Sequence, residues 1–105
     1  MPRLIIKSEG DELAVESFNL RLGTNRLGRS LENDIRINQA TISTFHCEIQ
    51  WSNDAVMVRD LDSTNGTYVN DERVQATNLE HLSEFCVGST VLLVTILPKR
   101  PTDIR

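Results

Sequence analysis

The chain has few of the residues that build stapled, fibrous or membrane-spanning proteins. Two cysteines among 105 residues are too few for a disulfide scaffold, and five glycines exclude a collagen-like repeat. No apolar run approaches the ~18 residues needed to span a membrane. Acidic residues outnumber basic ones by 15 to 11, and the net charge of −4 argues against attraction to nucleic acid or an anionic membrane through bulk charge.

The candidate metal ligands are also scattered. Cys47 and Cys86 stand far apart in the sequence, as do His46 and His81, so no pair has the spacing of a zinc site. We therefore expect neither a metal nor a cofactor. The amino-terminal apolar run, residues 4–6, is too short for a secretory signal. Together these features predict a cytoplasmic protein with reduced thiols.

The remaining composition is that of one soluble globular domain. Hydrophobic residues make up 39% of the chain and charged residues 25%, which is ordinary for such a domain. The last eight residues contain two prolines and three basic residues. We expect a single domain over residues 1–97 and a flexible tail over residues 98–105.

Apolar and polar residues alternate with a period of two, the signature of half-buried β-strands. Cys47, Ile49 and Trp51, for example, alternate with Glu48 and Gln50. Such segments recur about every ten residues, which predicts an all-β sandwich or barrel. The predicted strands cover residues 4–7, 18–22, 25–29, 35–37, 47–51, 56–58, 67–69, 85–87 and 90–97.

One segment does not follow this alternation. Leu79, Leu82 and Phe85 stand three residues apart, and Thr77 or Asn78 precedes them as a helix-capping residue. We predict a turn here with at most one helical turn.

Residues 23–30 come close to a nucleotide-binding loop. They match the pattern Gly-x4-Gly-Lys-Ser/Thr, except that Arg29 replaces the lysine. Arginine is not equivalent to the compact lysine charge that reaches the transferred phosphates. The pattern also requires a helix directly after the loop, whereas residues 31–37 alternate like a strand after a turn. Nucleotide hydrolysis is therefore disfavoured.

A hydrolytic triad of Ser43, His46 and Asp60 or Asp62 is a second enzymatic alternative. Ser43 lacks the Gly-x-Ser-x-Gly elbow, and a serine three residues from a histidine more often organises a turn by local hydrogen bonds. Residues 65–67 match the sequon for N-linked glycosylation. Without a secretory signal they are better explained as a turn, because Asn-Gly favours positive φ at both positions.

Five residues in turns or at strand ends supply a consistent chemistry. Arg29 offers a planar, permanently charged fork that suits phosphate. Ser43, Thr44 and Thr64 offer small hydroxyl donors, and the Asn65 amide can hold a peptide backbone as both donor and acceptor. No metal cluster or general base stands beside them in the sequence, so this set suits binding of a phosphorylated side chain and no catalysis.

The order of the motifs resembles that of a forkhead-associated (FHA) domain, a family that binds phosphothreonine peptides. The motifs are Gly-Arg at 28–29, Asn-Asp-Ile at 33–35, Ser-x-x-His at 43–46 and Asp-Leu-x-Ser-Thr-Asn-Gly-Thr at 60–67. The resemblance covers about residues 20–97. It implies an eleven-stranded β-sandwich of two twisted, mainly antiparallel sheets, with little or no helix, whose loops at one end hold the phosphopeptide.

The resemblance also implies a role for each matching residue. Arg29 would contact the phosphate, Ser43 would hydrogen-bond it, and Thr64 would touch the phosphothreonine. Asn65 would hold the peptide main chain. Thr44 occupies a phosphate-contacting position that is often Arg or Asn in the family, so it is a weaker partner here. A small pocket for the threonine methyl would favour phosphothreonine over phosphoserine.

Four further residues would support the site. The resemblance implies that His46 is structural, that Gly66 permits a tight turn, and that Gly28 and Asn33 support the loop backbone. The chain departs from the family at residues 82–83, where Leu-Ser replaces the usual Gly-Asp turn before the last strands.

The sequence thus predicts a monomeric signalling module that binds a phosphothreonine-containing protein or peptide, either a Ser/Thr kinase or its substrate, and neither nucleic acid nor membrane. The acidic total does not oppose this function, because residues 21–59 carry five basic and four acidic residues, a net charge of +1. The alternative is a phospho-independent scaffold on the same fold, which Thr44 and the net charge of −4 favour.

Overall fold

A computed structural model of the chain describes residues 2–9, 12–53 and 55–96. These residues form eleven strands and no helix. The strands are β1 (Pro2–Glu9), β2 (Glu12–Asn19), β3 (Gly23–Gly28), β4 (Ile35–Arg36), β5 (Cys47–Ser52), β6 (Ala55–Asp60), β7 (Thr67–Val69), β8 (Glu72–Arg73), β9 (Ala76–Leu79), β10 (Glu84–Val87) and β11 (Thr90–Ile96).

The strands form two sheets. The six-stranded sheet has the order β2-β1-β11-β10-β7-β8, and the five-stranded sheet has the order β4-β3-β5-β6-β9. The β3–β4 pair is parallel, and the other pairs described are antiparallel. The predicted eleven-stranded, mainly antiparallel sandwich is confirmed. The predicted tail, residues 98–105, lies outside the described residues, and the domain boundary stays a prediction.

The core lies between the sheets and follows the period-two pattern of the sequence. In β5, Cys47 and Ile49 are fully buried, and in β11, Leu92 and Val94 are fully buried. Both sheets thus turn one face inward, as the alternation requires. The described residues contain no helix that could cross a membrane.

The predicted turn at residues 77–85 is wrong in its first half. Residues 76–79 form β9, which pairs antiparallel with β6. Leu79 and Phe85 are both buried, but they lie on strands of different sheets, and Leu82 between them is 59% exposed. The spacing of three therefore arises from a connection between the two sheets and not from one face of a helix.

The predicted strand at residues 18–22 also begins and ends too late. The observed strand β2 runs from Glu12 to Asn19 and pairs with β1. Beyond it, Leu20 is buried whereas Leu22 is 71% exposed, so the apolar alternation does not continue along one face of the sheet.

Candidate functional site

The register of the five-stranded sheet brings three loops to one end of the sandwich. Leu27 near the end of β3 pairs with Cys47 at the start of β5, and Cys47 pairs with Asp60 at the end of β6. The β3–β4 loop (residues 29–34), the β4–β5 loop (37–46) and the β6–β7 loop (61–66) therefore begin or end side by side. Every predicted binding residue lies in one of these three loops.

Hydrogen bonds join the three loops directly. The Arg29 N–H donates to the Ser43 carbonyl at 3.0 Å, and the Ser30 N–H donates to the Thr44 carbonyl at 3.2 Å. The Thr64 N–H in turn donates to the Ser43 Oγ at 3.0 Å. The β4–β5 loop is thus held between the other two, with Ser43 at the junction.

Several polar groups at this junction have no partner within the described residues. The side chains of Arg29, Thr44 and Thr64 are exposed and form no hydrogen bond or ion pair among these residues. Because the Ser43 Oγ accepts the bond from Thr64, its own hydrogen is free to be donated. The junction thus carries one guanidinium group, from Arg29, and three hydroxyl groups, and all four can donate hydrogen bonds to an anion.

Asn65 is also exposed, but one of its groups is already engaged. Its Nδ2 donates to the Thr41 carbonyl at 2.7 Å, which leaves the side-chain carbonyl and one N–H for a ligand. Thr41 is itself anchored, since its Oγ1 accepts the Ser89 N–H at 3.0 Å. The sequence analysis did not identify Thr41 as a support of the site, because its partner Ser89 is 48 residues away in the chain.

The turn at Asn65-Gly66 differs from the predicted one. Gly66 has a φ of 87°, but Asn65 is not among the residues with positive φ. The flanking strands β6 and β7 belong to different sheets, so this connection is not a tight hairpin and does not need positive φ at both positions.

His46 is fully buried behind the junction and braces it. Its Nδ1 accepts the Ser43 N–H at 3.1 Å, so its Nε2 carries the hydrogen and donates to the Gly66 carbonyl at 2.9 Å. Burial lowers the pKa of His46, against the opposing effects of the Gly66 hydrogen bond and the Asp60 charge. The imidazole is therefore neutral, and both nitrogens are bonded to backbone groups.

Asp60 organises the β6–β7 loop from within. Its carboxylate accepts the Ser63 Oγ–H at 2.6 Å, the Ser63 N–H at 3.1 Å and the Thr67 hydroxyl at 2.8 Å. Burial raises the pKa of Asp60, but these hydrogen bonds outweigh it and leave the pKa below its ordinary value. The Ser63 Oγ also accepts the Gly66 N–H at 3.0 Å.

The sequence analysis did not single out Ser63 and Thr67 as supports of the site, although the spacing Asp60-x-x-Ser63 is typical of a side chain that bonds to a nearby turn. The same bonds separate the members of the hypothetical triad. His46 faces backbone groups and not the Ser43 hydroxyl, and the Asp60 carboxylate faces Ser63 and Thr67. The triad is not assembled.

Gly28 and Asn33 hold the β3–β4 loop against the β4–β5 loop. A Cβ at Gly28 would collide with the Thr44 carbonyl oxygen and would lie 2.8 Å from the Asn33 Nδ2. That Nδ2 donates to the Thr44 carbonyl at 2.8 Å and to the Ser30 carbonyl at 2.9 Å. Only glycine permits this approach of the loops.

The hypothetical nucleotide-binding loop is not formed. Residues 23–28 form β3, and the residues that follow form a turn and then β4, with no helix in this part of the described chain. The required helix N-terminus is therefore missing.

A family model described as FHA domain matches residues 25–88. The chain belongs to the FHA domain family. The chain is 32% identical over 84 residues to the FHA domain-containing protein FhaA of Mycobacterium tuberculosis, which covers 80% of this chain and 16% of FhaA. It is 36% identical over 86 residues to the glycogen accumulation regulator GarA of the same species, which covers 82% of this chain and 53% of GarA. The chain thus spans at most about half the length of these relatives.

Solved FHA domain structures resemble the whole sandwich. One, which concerns phosphothreonine-dependent FHA domain interactions, has a TM-score of 0.85 and 30% identity and covers 93% of this chain and 98% of its own. Another, the FhaA FHA domain in complex with the intracellular domain of a second protein, has a TM-score of 0.81 and 30% identity and covers 90% of this chain and 99% of its own.

Within this FHA domain, the departure at residues 82–83 has a structural cost. Leu82 has a φ of 71°, a conformation that glycine adopts freely and leucine does not. The turn is closed by the Ser83 N–H, which donates to the Glu80 carbonyl at 2.9 Å, and by the Leu82 N–H, which donates to the Val94 carbonyl at 2.7 Å. The glycine-like backbone is thus retained although the glycine is not.

Proposed function

We propose that this FHA domain binds phosphothreonine in a partner protein and catalyses no reaction. The observation that carries this proposal is the junction of the three loops, where the unpaired Arg29 guanidinium and the free hydroxyl hydrogen of Ser43 lie on segments joined by the Arg29–Ser43 backbone bond.

The chemistry of a phosphothreonine matches that junction. The phosphate brings a charge of about −1.5 to −2 and three acceptor oxygens. Arg29 donates from its planar guanidinium, and Ser43, Thr44 and Thr64 add hydroxyl donors. Asn65 holds the peptide main chain through its free carbonyl and N–H. These donors replace the water shell that the phosphate loses.

The state of His46 supports a binding role. Activation of Ser43 as a nucleophile requires a general base, an imidazole nitrogen that faces the hydroxyl, whereas both nitrogens of His46 are bonded to backbone groups. Among the described residues, moreover, no group of three or more His, Cys, Asp or Glu is placed to hold a metal ion.

The relatives support the class of partner. One similar structure concerns phosphothreonine-dependent FHA interactions, another is a complex of the FhaA domain with an intracellular domain, and GarA is named as a regulator. We propose that the partner of this chain is a Ser/Thr kinase or a protein phosphorylated by one, and that the domain binds it as a monomer.

Binding of a pool of phosphothreonine peptides and of its unphosphorylated twin tests the proposal. Fluorescence anisotropy should detect binding of the phosphorylated pool alone, and Arg29→Ala should abolish it. Arg26→Ala is the matched control, because Arg26 is exposed on β3 three residues earlier, and it should leave binding unchanged.

Replacement of phosphothreonine by phosphoserine should weaken binding about fourfold, since one buried methyl contributes about 0.8 kcal/mol. Equal binding of both pools would contradict the proposal.

A phospho-independent scaffold is the second candidate, and one observation favours it. A groove at the edge of the sandwich is lined by residues of β2, β3 and β4, including Phe18, and by Arg21 and Asp34 from the segments between these strands. None of the five proposed binding residues lines it. Amide signals in a nuclear magnetic resonance titration with a partner distinguish the two functions. A scaffold would shift signals around Phe18 and leave those of Arg29 and Ser43 unmoved.

A further inference from the structure

Three arginines at the loop end of the sandwich, Arg29, Arg36 and Arg73, form no ion pair with any described residue. Of the other described basic side chains, Lys7, Arg21 and Arg59 are paired with carboxylates, whereas Arg3 on β1 and Arg26 on β3 are also without an ion pair. Unpaired guanidinium groups at one place on a chain of charge −4 create a local anion-binding surface that the total charge does not indicate.

Hydrogen bonds fix the order of these arginines across the loops. The Arg36 Nε donates to the Arg29 carbonyl at 2.9 Å, and the Arg29 N–H donates to the Ser43 carbonyl. Ser43 is bonded to the Thr64 N–H, and at the far side the Arg73 Nη2 donates to the Ser63 carbonyl at 3.3 Å. In this series of hydrogen bonds Arg36 stands at one end and Arg73 at the other, with Arg29, Ser43 and Thr64 between them.

Arg36 and Arg73 have different surroundings. The Arg73 side chain packs against Gly66, where an added Cβ would lie 2.7 Å from its Nε, so Arg73 supports the β6–β7 turn. Arg36 instead ends the short edge strand β4 and pairs with Gly28. Its side chain is exposed, and its Nη groups have no partner among the described residues.

The position of Arg36 is set before any ligand binds. The Ile37 N–H donates to the Gly28 carbonyl at 3.0 Å, which fixes the backbone on one side of Arg36, and the Nε bond fixes the base of the guanidinium. Only one of its five N–H donors is used, and four remain. The nearby exposed Glu32 does not lie within ion-pair distance of Arg36 or Arg29 among the pairs described. A held guanidinium with free donors suits a second anion.

We propose that Arg36 binds a second anionic group of the phosphothreonine-bearing partner, either a carboxylate or a further phosphate. This inference rests on the proposed function of Arg29 and Ser43. Since an extended peptide advances roughly 3.3 Å per residue and the two arginines are adjoining positions on neighbouring backbones, the second anion lies within about three residues of the phosphothreonine, on one side of it.

A set of peptides with one fixed phosphothreonine tests this. Each peptide carries a single glutamate, phosphoserine or neutral glutamine at one position from three before to three after the phosphothreonine. At one or two adjoining positions, an anion should tighten binding about two- to tenfold relative to glutamine. A larger gain from phosphoserine assigns a second phosphate, and an equal gain assigns an acidic residue. The gain should shrink as salt is raised.

Arg36→Gln should remove the gain, whereas the matched variant Arg26→Gln should keep it. The ratio of affinities for the anionic and the neutral peptide is the decisive quantity, because a merely structural effect of Arg36 on the Arg29 carbonyl would weaken both peptides equally. Failure of the neutral phosphothreonine peptide to bind would refute the proposed function itself. If that peptide binds but no position gives a gain, or the gain survives in Arg36→Gln, the second-anion inference alone is wrong.

Discussion

The Nδ1 atom of His46 accepts a hydrogen bond from the Ser43 N–H at 3.1 Å. Because a protonated imidazole carries hydrogens on both nitrogens, this bond exists only while His46 is neutral. The backbone of the serine proposed to bind phosphate is therefore held by a titratable side chain that is fully buried. The stability of the site thus depends on pH.

The first prediction concerns that dependence. The pKa of His46 is lowered in the folded state by burial, so as pH falls below about 6.5 the unfolded chain binds a proton at this residue before the folded chain does. The free energy of unfolding should therefore decrease from pH 7.5 to pH 5.5. Urea denaturation at the two pH values measures the decrease. In His46→Gln this decrease should be smaller than in the wild type. An equal decrease in the variant would contradict the attribution of the pH dependence to His46.

The second prediction concerns the approach of the β3–β4 and β4–β5 loops. Gly28→Ala should lower the free energy of unfolding by about 1–3 kcal/mol, because the added methyl collides with the Thr44 carbonyl, which belongs to the backbone. It should also weaken phosphopeptide binding, since it displaces the loop that carries Arg29. Denaturation and anisotropy measure the two effects.

Gly23→Ala is the comparison for that variant. Nothing lies within 4 Å of a Cβ at Gly23, but its φ is 95°, so the substitution strains the backbone without moving the loops. It should lower stability by about 1 kcal/mol and leave peptide affinity unchanged. Parallel losses of affinity in both variants would show that general destabilisation, and not loop displacement, weakens binding.

The third prediction concerns Asp60. In Asp60→Asn the hydrogen bonds from Ser63 and Thr67 lose the charge of their acceptor, and one amide N–H faces a donor, so the free energy of unfolding should fall by about 1–3 kcal/mol at pH 7. Since the pKa of Asp60 is lowered in the folded state, the wild type should lose this contribution as pH falls below about 3.8, the ordinary value for aspartate. The difference between wild type and variant should therefore shrink in acid.

Asp62→Asn is the matched control for Asp60→Asn. Asp62 is exposed and has a φ of 56°, a conformation that asparagine adopts as readily as aspartate. Its free energy of unfolding should equal that of the wild type within about 0.5 kcal/mol. Equal effects of the two substitutions would contradict the buried role of Asp60.

Much of this architecture follows from local sequence. The strand β5 is predictable because burial of Cys47 and Ile49 follows the period of a strand, and the loops of the site are predictable because Gly, Ser, Thr and Asn mark them. The strand β9 is not predictable from local sequence, because it forms by pairing with β6, about twenty residues earlier in the chain. The spacing of three between Leu79, Leu82 and Phe85 is instead typical of a helix, although the chain crosses there from one sheet to the other.

The proposed binding residues could be singled out from the sequence, whereas several of the contacts that support them could not. Arg29, Ser43, Thr64 and Asn65 stand in short motifs of recognisable order. The contacts that hold them, such as that of Asn65 with the Thr41 carbonyl across 24 residues, leave no trace in local spacing. Tertiary structure alone places such partners side by side.

The fourth prediction concerns the turn after β9. Leu82 has positive φ and is 59% exposed, so its side chain adds strain and little packing. Leu82→Gly should raise the free energy of unfolding by about 0.5–1 kcal/mol, the relief of strain less the added freedom of the unfolded chain. Chemical denaturation measures the gain.

Leu31→Gly provides the contrast for that variant. Leu31 is 80% exposed and is not among the residues with positive φ. Glycine relieves no strain there and only loosens the unfolded chain, so the free energy of unfolding should fall by about 0.5 kcal/mol. A loss of stability in Leu82→Gly similar to that in Leu31→Gly would show that the turn at Leu82 is unstrained.

The last prediction concerns Thr44, which occupies a position that is often Arg or Asn in the family. The Thr44 side chain is exposed and unpaired among the described residues, and its backbone carbonyl is already held by Ser30 and Asn33. Thr44→Arg therefore adds a guanidinium beside Ser43 without disturbing packing. It should tighten phosphothreonine-peptide binding about three- to tenfold, and the gain should diminish as salt is raised.

Ala55→Arg adds the same charge at the start of β6, at the opposite end of that strand from the loops, and should produce no gain. Equal gains from both variants would mean that total charge governs affinity, whereas a gain confined to Thr44→Arg would mean that the threonine limits an otherwise complete phosphate site.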